Sequence, residues 1–81
     1  MLVTVRLFAR LREIAGAPEV QVEVPLGATV GDAWAALSAR HSALAAYATS
    51  ISCAVNEDYA RMTERLQEGD EVAFLPPVSG G

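Results

Sequence analysis

The sequence predicts an α+β domain, a mixed sheet of four to five strands with one main helix packed on one face. Three observations lead there. Residues 2–8 and 19–24 each alternate side chains with the two-residue period of a half-buried strand. Apolar residues then recur at helical spacing across 30–37. Two further β-type runs follow, at 51–56 and 71–75.

In the first strand Val3, Val5 and Leu7 share one aliphatic face, which belongs in the core. Thr4, Arg6 and Phe8 share the other, so an aromatic ring lies on the solvent side. Residues 9–15 read as one or two helical turns, ended by Gly16, Ala17 and Pro18. In the second strand Val20, Val22 and Val24 face in, while Glu19, Gln21 and Glu23 face out. Pro25-Leu26-Gly27 turns the chain. Thr29 is the expected N-cap of the main helix, with Asp32 at N3 as a short version of the capping box. Val30, Ala33, Trp34 and Leu37 mark its buried stripe, and it runs to about His41. Residues 42–50, rich in Ala and Ser, fit either a second short helix or a loop. A third strand spans 51–56, Asn56-Glu57-Asp58 turns, and Tyr59 to Met62 forms a short strand. After the Gly69-Asp70 turn the last strand, 71–75, points Val72 and Phe74 inward, Ala73 and Leu75 outward. If the first and last strands are neighbours, Phe8 and Leu75 form one exposed apolar patch, which Tyr59 could join.

The chain then changes character. A domain of residues 1–75 gives way to a tail of residues 76–81: Pro76, Pro77, Val78, Ser79, Gly80 and Gly81. The prolines donate no backbone hydrogen bond and fix φ, so the strand stops and a stiff, extended stem begins. Six residues reach about 20 Å at ~3.3–3.6 Å each. Gly80 and Gly81 carry no Cβ, so the tip fits a slot that admits only backbone. At its end stands an unhindered α-carboxylate, a poor electrophile until it is activated, for instance as a mixed anhydride with AMP.

Composition excludes several classes. With 81 residues the chain is one domain, and 52% hydrophobic content supports a core without metal or disulfide. Cys53 is the only cysteine, no apolar run is long enough to span a bilayer, and no signal-peptide pattern opens the chain, which together read as a cytoplasmic protein. A net charge of −4 argues against nucleic acid and against an anionic membrane surface. One histidine and one cysteine exclude most metal sites and most triads. His41 reads as a helix-end residue and Cys53 as a buried structural thiol. The adjacent pairs Glu57/Asp58 and Asp70/Glu71 point apart in extended chain and read as solvated turns. Gly-Lys-Ser/Thr is absent, so there is no phosphate loop.

Both ends carry a family resemblance. Phe8-Ala9-Arg10-Leu11-Arg12-Glu13, Ala54-Val55-Asn56, and Gly69-Asp70-Glu71-Val72-Ala73-Phe74-Leu75 running into Pro76-Pro77-Val78-Ser79-Gly80-Gly81 resemble the small, sulfur-carrying subunits of molybdopterin synthase. These belong to the ubiquitin-like β-grasp superfamily. The resemblance implies that an ATP-dependent, E1-like adenylating enzyme activates the Gly81 carboxylate and that a sulfur donor protein converts it to a thiocarboxylate. It implies further that the tail enters the molybdopterin synthase large subunit, in a heterotetramer, and gives its sulfur to cyclic pyranopterin monophosphate. No permanently bound cofactor is implied, ATP being consumed by the activating enzyme. The chain is then a non-catalytic sulfur-donor subunit of a transferase complex. Phe8, Tyr59 and Leu75 match the partner-binding surface, with Arg12 near it. Competing readings are a thiamine-pathway sulfur carrier, a ubiquitin-like modifier that acylates lysine, and a plain interaction module.

Overall fold

The computed structural model describes residues 1–77. Five strands form one sheet: β1 (Leu2–Leu7), β2 (Glu19–Glu23), β3 (Ser52–Val55), β4 (Asp58–Ala60) and β5 (Glu71–Leu75). Their order is β2-β1-β5-β3-β4. The central pair, β1 and β5, is parallel, and every other pairing is antiparallel. Helices α1 (Ala9–Ala15) and α2 (Val30–Arg40) and a 3-10 helix (Ser42–Tyr47) complete the order. This is the β-grasp arrangement, with α2 lying across one face of a mixed sheet.

The core forms where strand alternation meets the helical stripe. Val3, Val5, Leu7, Val22, Val72 and Phe74 from the sheet pack with Val30, Ala33, Trp34 and Leu37 from α2. The Trp34 and Phe74 rings meet edge to face, centroids 4.8 Å apart at 63°. Such a pair contributes about 0.5–1.5 kcal/mol beyond its buried area. Leu11, Leu44 and Leu66, which no periodicity marks, are also buried. Leu44 closes the core from the 3-10 helix, so residues 42–47 take the short-helix alternative.

The capping box at α2 is complete. Asp32 N donates to Thr29 Oγ1 at 3.2 Å, and Thr29 N donates to Asp32 Oδ2 at 2.9 Å. Val30 N and Gly31 N donate to the carbonyls of Glu64 and Met62, so the segment before β5 satisfies the helix's remaining free donors. That contact is close: a Cβ on Gly31 would sit 3.2 Å from the Met62 carbonyl oxygen. Thr29→Ala removes one arm of the box and should lower unfolding stability by about 1 kcal/mol, read by urea titration.

Several boundaries differ from the sequence expectation. β1 stops at Leu7, because Phe8 becomes the extended N-cap of α1. Val20 is only half-buried, since β2 is an edge strand. β3 loses Ile51 and Asn56, and β4 starts at Asp58 rather than Tyr59. The reason lies in the turn. Asn56 (φ 49°) and Glu57 (φ 74°) make a two-residue hairpin with both central residues left-handed, a geometry that matches strand twist.

The free edge at β2 is guarded. Arg40 Nη1 reaches from the end of α2 to the Gln21 carbonyl at 3.3 Å, and Glu19 and Glu23 flank it. Charged side chains on an exposed edge oppose pairing with other strands. Among the described residues no helix is long and apolar enough to cross a membrane.

Candidate functional site: an apolar hollow at the root of the tail

The face of the sheet turned away from α2 carries the site, and strand register builds it. Arg6 pairs with Ala73, Ala73 with Ala54, and Ala54 with Tyr59, so these four share one rung and one face. Two rungs further along, on the same face, Leu75 pairs with Ser52, and Phe8 follows the Leu7–Phe74 pair. The result is a hollow of about 270 Å³ lined by Phe8, Ala54, Glu57, Tyr59, Ala73 and Leu75. The two alanines make a low floor. Phe8, Tyr59 and Leu75 make the walls, and Glu57 brings the one carboxylate.

The walls are exposed at a cost. Tyr59 is 87% exposed and Phe8 38%. Scattered single apolar residues are ordinary on a surface, but a set sharing one concavity marks an interaction site. The backbone around it is also special. Ala9, directly after Phe8, has φ 51°, a left-handed value that costs an L-residue about 1–2 kcal/mol. It turns the chain from β1 into α1 within one residue, leaving Phe8 over the outer face. Glu57 is strained in the same sense. Glu57→Gly relieves it and should raise Tm by several degrees, since about 1 kcal/mol corresponds to ~4–8 °C in a domain of this size. A Tm at or below that of the parent protein would refute the left-handed turn.

The structure therefore brings Phe8, Tyr59 and Leu75 together. It does not bring Arg12 into the hollow; Arg12 is exposed on α1, one helical turn beyond Phe8. β5 ends at Leu75, and Pro76 and Pro77 leave the sheet from the hollow's wall. The expected roles of Val78, Ser79, Gly80 and Gly81 fall outside the described residues. Ala54, Ala73 and Glu57 are additions to the site. Strand parity already turns Ala73 outward, but a small side chain gives no signal that it floors a hollow.

Two larger hollows, of about 490 and 440 Å³, lie along β4 and the segment after it. Neither contains Phe8, Leu75 or the start of the tail. The remaining candidates are structural. Cys53 is buried and its Sγ donates to the Ala60 carbonyl at 3.1 Å. Burial pushes its thiol up from the ordinary value, and the Glu64 carboxylate adds to the shift, so it is a poor nucleophile. His41 caps the C-terminus of α2. Asp70 accepts from Asn56 Nδ2 and from Gln67 N, tying the two turns together.

Comparison with known proteins agrees with this architecture. Residues 5–81 match the model of the ThiS family. The chain belongs to the ThiS family. Among curated ThiS-like relatives, the molybdopterin synthase sulfur carrier subunit of Chlamydomonas reinhardtii is 40% identical over 83 residues, covering all of both chains. The small archaeal modifier protein 1 of Haloferax volcanii is 42% identical over 84 residues, covering 94% of this chain and 97% of that one. The crystal structure of the same Haloferax protein superposes with a TM-score of 0.87 at 38% identity, with both chains fully covered. Membership of the ThiS family thus extends through the tail, to Gly81.

Proposed function

We propose that this chain is the sulfur carrier subunit of a molybdopterin synthase. In this reading the Gly81 carboxylate is adenylated at the expense of ATP by an activating enzyme. A sulfur donor displaces AMP, and the resulting thiocarboxylate passes its sulfur to cyclic pyranopterin monophosphate in the large subunit. One observation carries it: Leu75 is both the last residue of β5 and a wall of the apolar hollow. The docking surface and the base of the reactive tail are therefore contiguous, so binding a partner at the hollow aims the tail into that partner. Relatives named as molybdopterin synthase sulfur carrier subunits support the choice of partner. Phe8, Tyr59 and Leu75 fill the large subunit's surface, with Arg12 at the rim. Pro76 and Pro77 set the reach of the tail, Val78 and Ser79 continue it, and Gly80 and Gly81 are slim enough to pass the slot. In this reading the large subunit supplies the proton transfers.

The test is intact-mass analysis after incubation with the cognate activating enzyme, ATP and a sulfur source. The expected product gains the mass of one sulfur in place of one oxygen and loses it again when the large subunit and precursor are added. A second reading, protein modification, is favoured by the similarity to small archaeal modifier protein 1. It uses the same activated carboxylate and predicts adducts on lysines of other proteins instead.

A further inference from the structure

All six basic side chains of this 81-residue chain are arginine; it contains no lysine. Arg6, Arg10, Arg12, Arg40, Arg61 and Arg65 are all exposed, where lysine provides the same charge and solubility. Arg6 and Arg10 make only exposed ion pairs, to Glu71 at 3.8 Å and Glu13 at 3.3 Å, and a surface lysine can make such pairs equally well. What separates the two residues chemically is the nitrogen. A lysine amine, once deprotonated, attacks acyl groups, whereas the guanidinium stays protonated and does not.

The other strong nucleophiles are withdrawn by the fold. The amino group at Met1 is engaged: it donates to Glu23 Oε2 at 2.9 Å and to the Val24 carbonyl at 2.6 Å. The Cys53 thiol is buried beneath β4 and donates to the Ala60 carbonyl. An acyl group on His41 is itself activated and returns to water. Hydroxyl groups are weak nucleophiles unless a base activates them.

We propose that the chain is built to be inert toward its own activated carboxyl terminus, so that acyl or sulfur transfer from Gly81 goes only to other molecules. This rests on the reading of Gly81 as the activated residue. The reaction avoided is aminolysis: an amine nitrogen bonds to the Gly81 carbonyl carbon, the carbon–oxygen bond to AMP breaks, AMP departs with the electron pair, and the amine loses one proton. With lysines on its surface, a carrier crowded around its activating enzyme joins to further copies or closes on itself, and each event removes a carrier irreversibly. If the chain also modifies proteins, the adducts are single units and never chains of this protein linked through its own side chains.

The experiment does not use the activating enzyme, so its failure leaves the sulfur-carrier reading standing. The full chain is prepared with Gly81 as a thioester of a small thiol and incubated concentrated, at about pH 7.5 and about pH 8.5, beside the double variant Arg61→Lys/Arg65→Lys. Hydroxylamine added to a portion of each must convert Gly81 to the hydroxamate, which establishes that the acyl group is reactive. The parent protein is expected to give only hydrolysis by intact mass. The lysine variant is expected to give covalently joined copies whose initial rate of formation rises about tenfold over that pH step, because the free-amine fraction of a group with pKa near 10.4 does so. Joined or cyclised products from the parent protein overturn the proposal. So does a lysine variant, folded by circular dichroism, that stays as inert as its parent.

Discussion

Deleting Gly81 is expected to abolish sulfur transfer and to leave the melting temperature unchanged. The proposed reaction needs a carbonyl carbon that can be adenylated at the end of a chain thin enough to enter the partner's slot. Without Gly81 the carboxylate sits one residue back on Gly80, about 3.3–3.6 Å short of its target. A shortfall of that size is decisive, because reacting atoms must approach to roughly 3–3.5 Å and even a 1 Å misplacement costs about a hundredfold. Stability is untouched, since β5 ends at Leu75 and the core comprises residues up to Phe74. Adding a residue after Gly81 is expected to be as damaging. The paired measurements are a melting curve and the sulfur-transfer assay. Substantial activity in the truncated chain would place the reactive carbonyl elsewhere.

Neighbouring residues on β5 should separate stability from binding. Phe74 is fully buried and meets Trp34 edge to face. Phe74→Ala should cost about 3–5 kcal/mol, a large share of the roughly 4–12 kcal/mol available to a domain of this size. Leu75 faces the other way, into the hollow. Leu75→Asp should leave the fold nearly intact and weaken binding to the large subunit by about 2 kcal/mol or more, roughly thirtyfold. Phe8→Asp provides an independent arm. Phe8 is the N-cap of α1 and makes no side-chain capping bond, whereas aspartate is a preferred cap. That substitution removes a wall of the hollow without weakening the helix. Calorimetry and urea titration on the three variants read both quantities. Unfolding of Leu75→Asp, or undiminished binding by both aspartate variants, would refute the hollow as the docking surface.

How much of this was legible in the sequence depended on whether the signal was local. Alternation in β1 and β5 put Phe8 and Leu75 on the outer face, because side-chain direction follows from chain position alone. The capping box was legible for the same reason: Thr29 and Asp32 are three residues apart and satisfy each other. The neighbourhood of β1 and β5 is not legible in the sequence, since no periodicity encodes which distant strands pair. The hairpin between β3 and β4 was blurred because its left-handed positions hold Asn56 and Glu57 without the glycine that marks such turns. Leu44 went unmarked because a single apolar residue in an Ala- and Ser-rich stretch has no partner at helical spacing. Nothing in the sequence marks Ala54 as a floor of the hollow, because its role there is to be small.

The parallel pairing of β1 with β5 has a mechanical consequence. A partner that draws the tail into a slot, or releases it, pulls along β5 from its Leu75 end. β5 is held by ladder bonds on both sides, with register from Thr4–Glu71 to Leu7–Phe74 against β1 and from Ser52–Leu75 to Val55–Val72 against β3. A pull along the strand loads these bonds together in shear, whereas a pull across it would peel them one at a time. The strand that carries the tail is therefore the anchored centre of the sheet, and in the proposed cycle a pull on it is borne by the whole ladder rather than by one bond at a time.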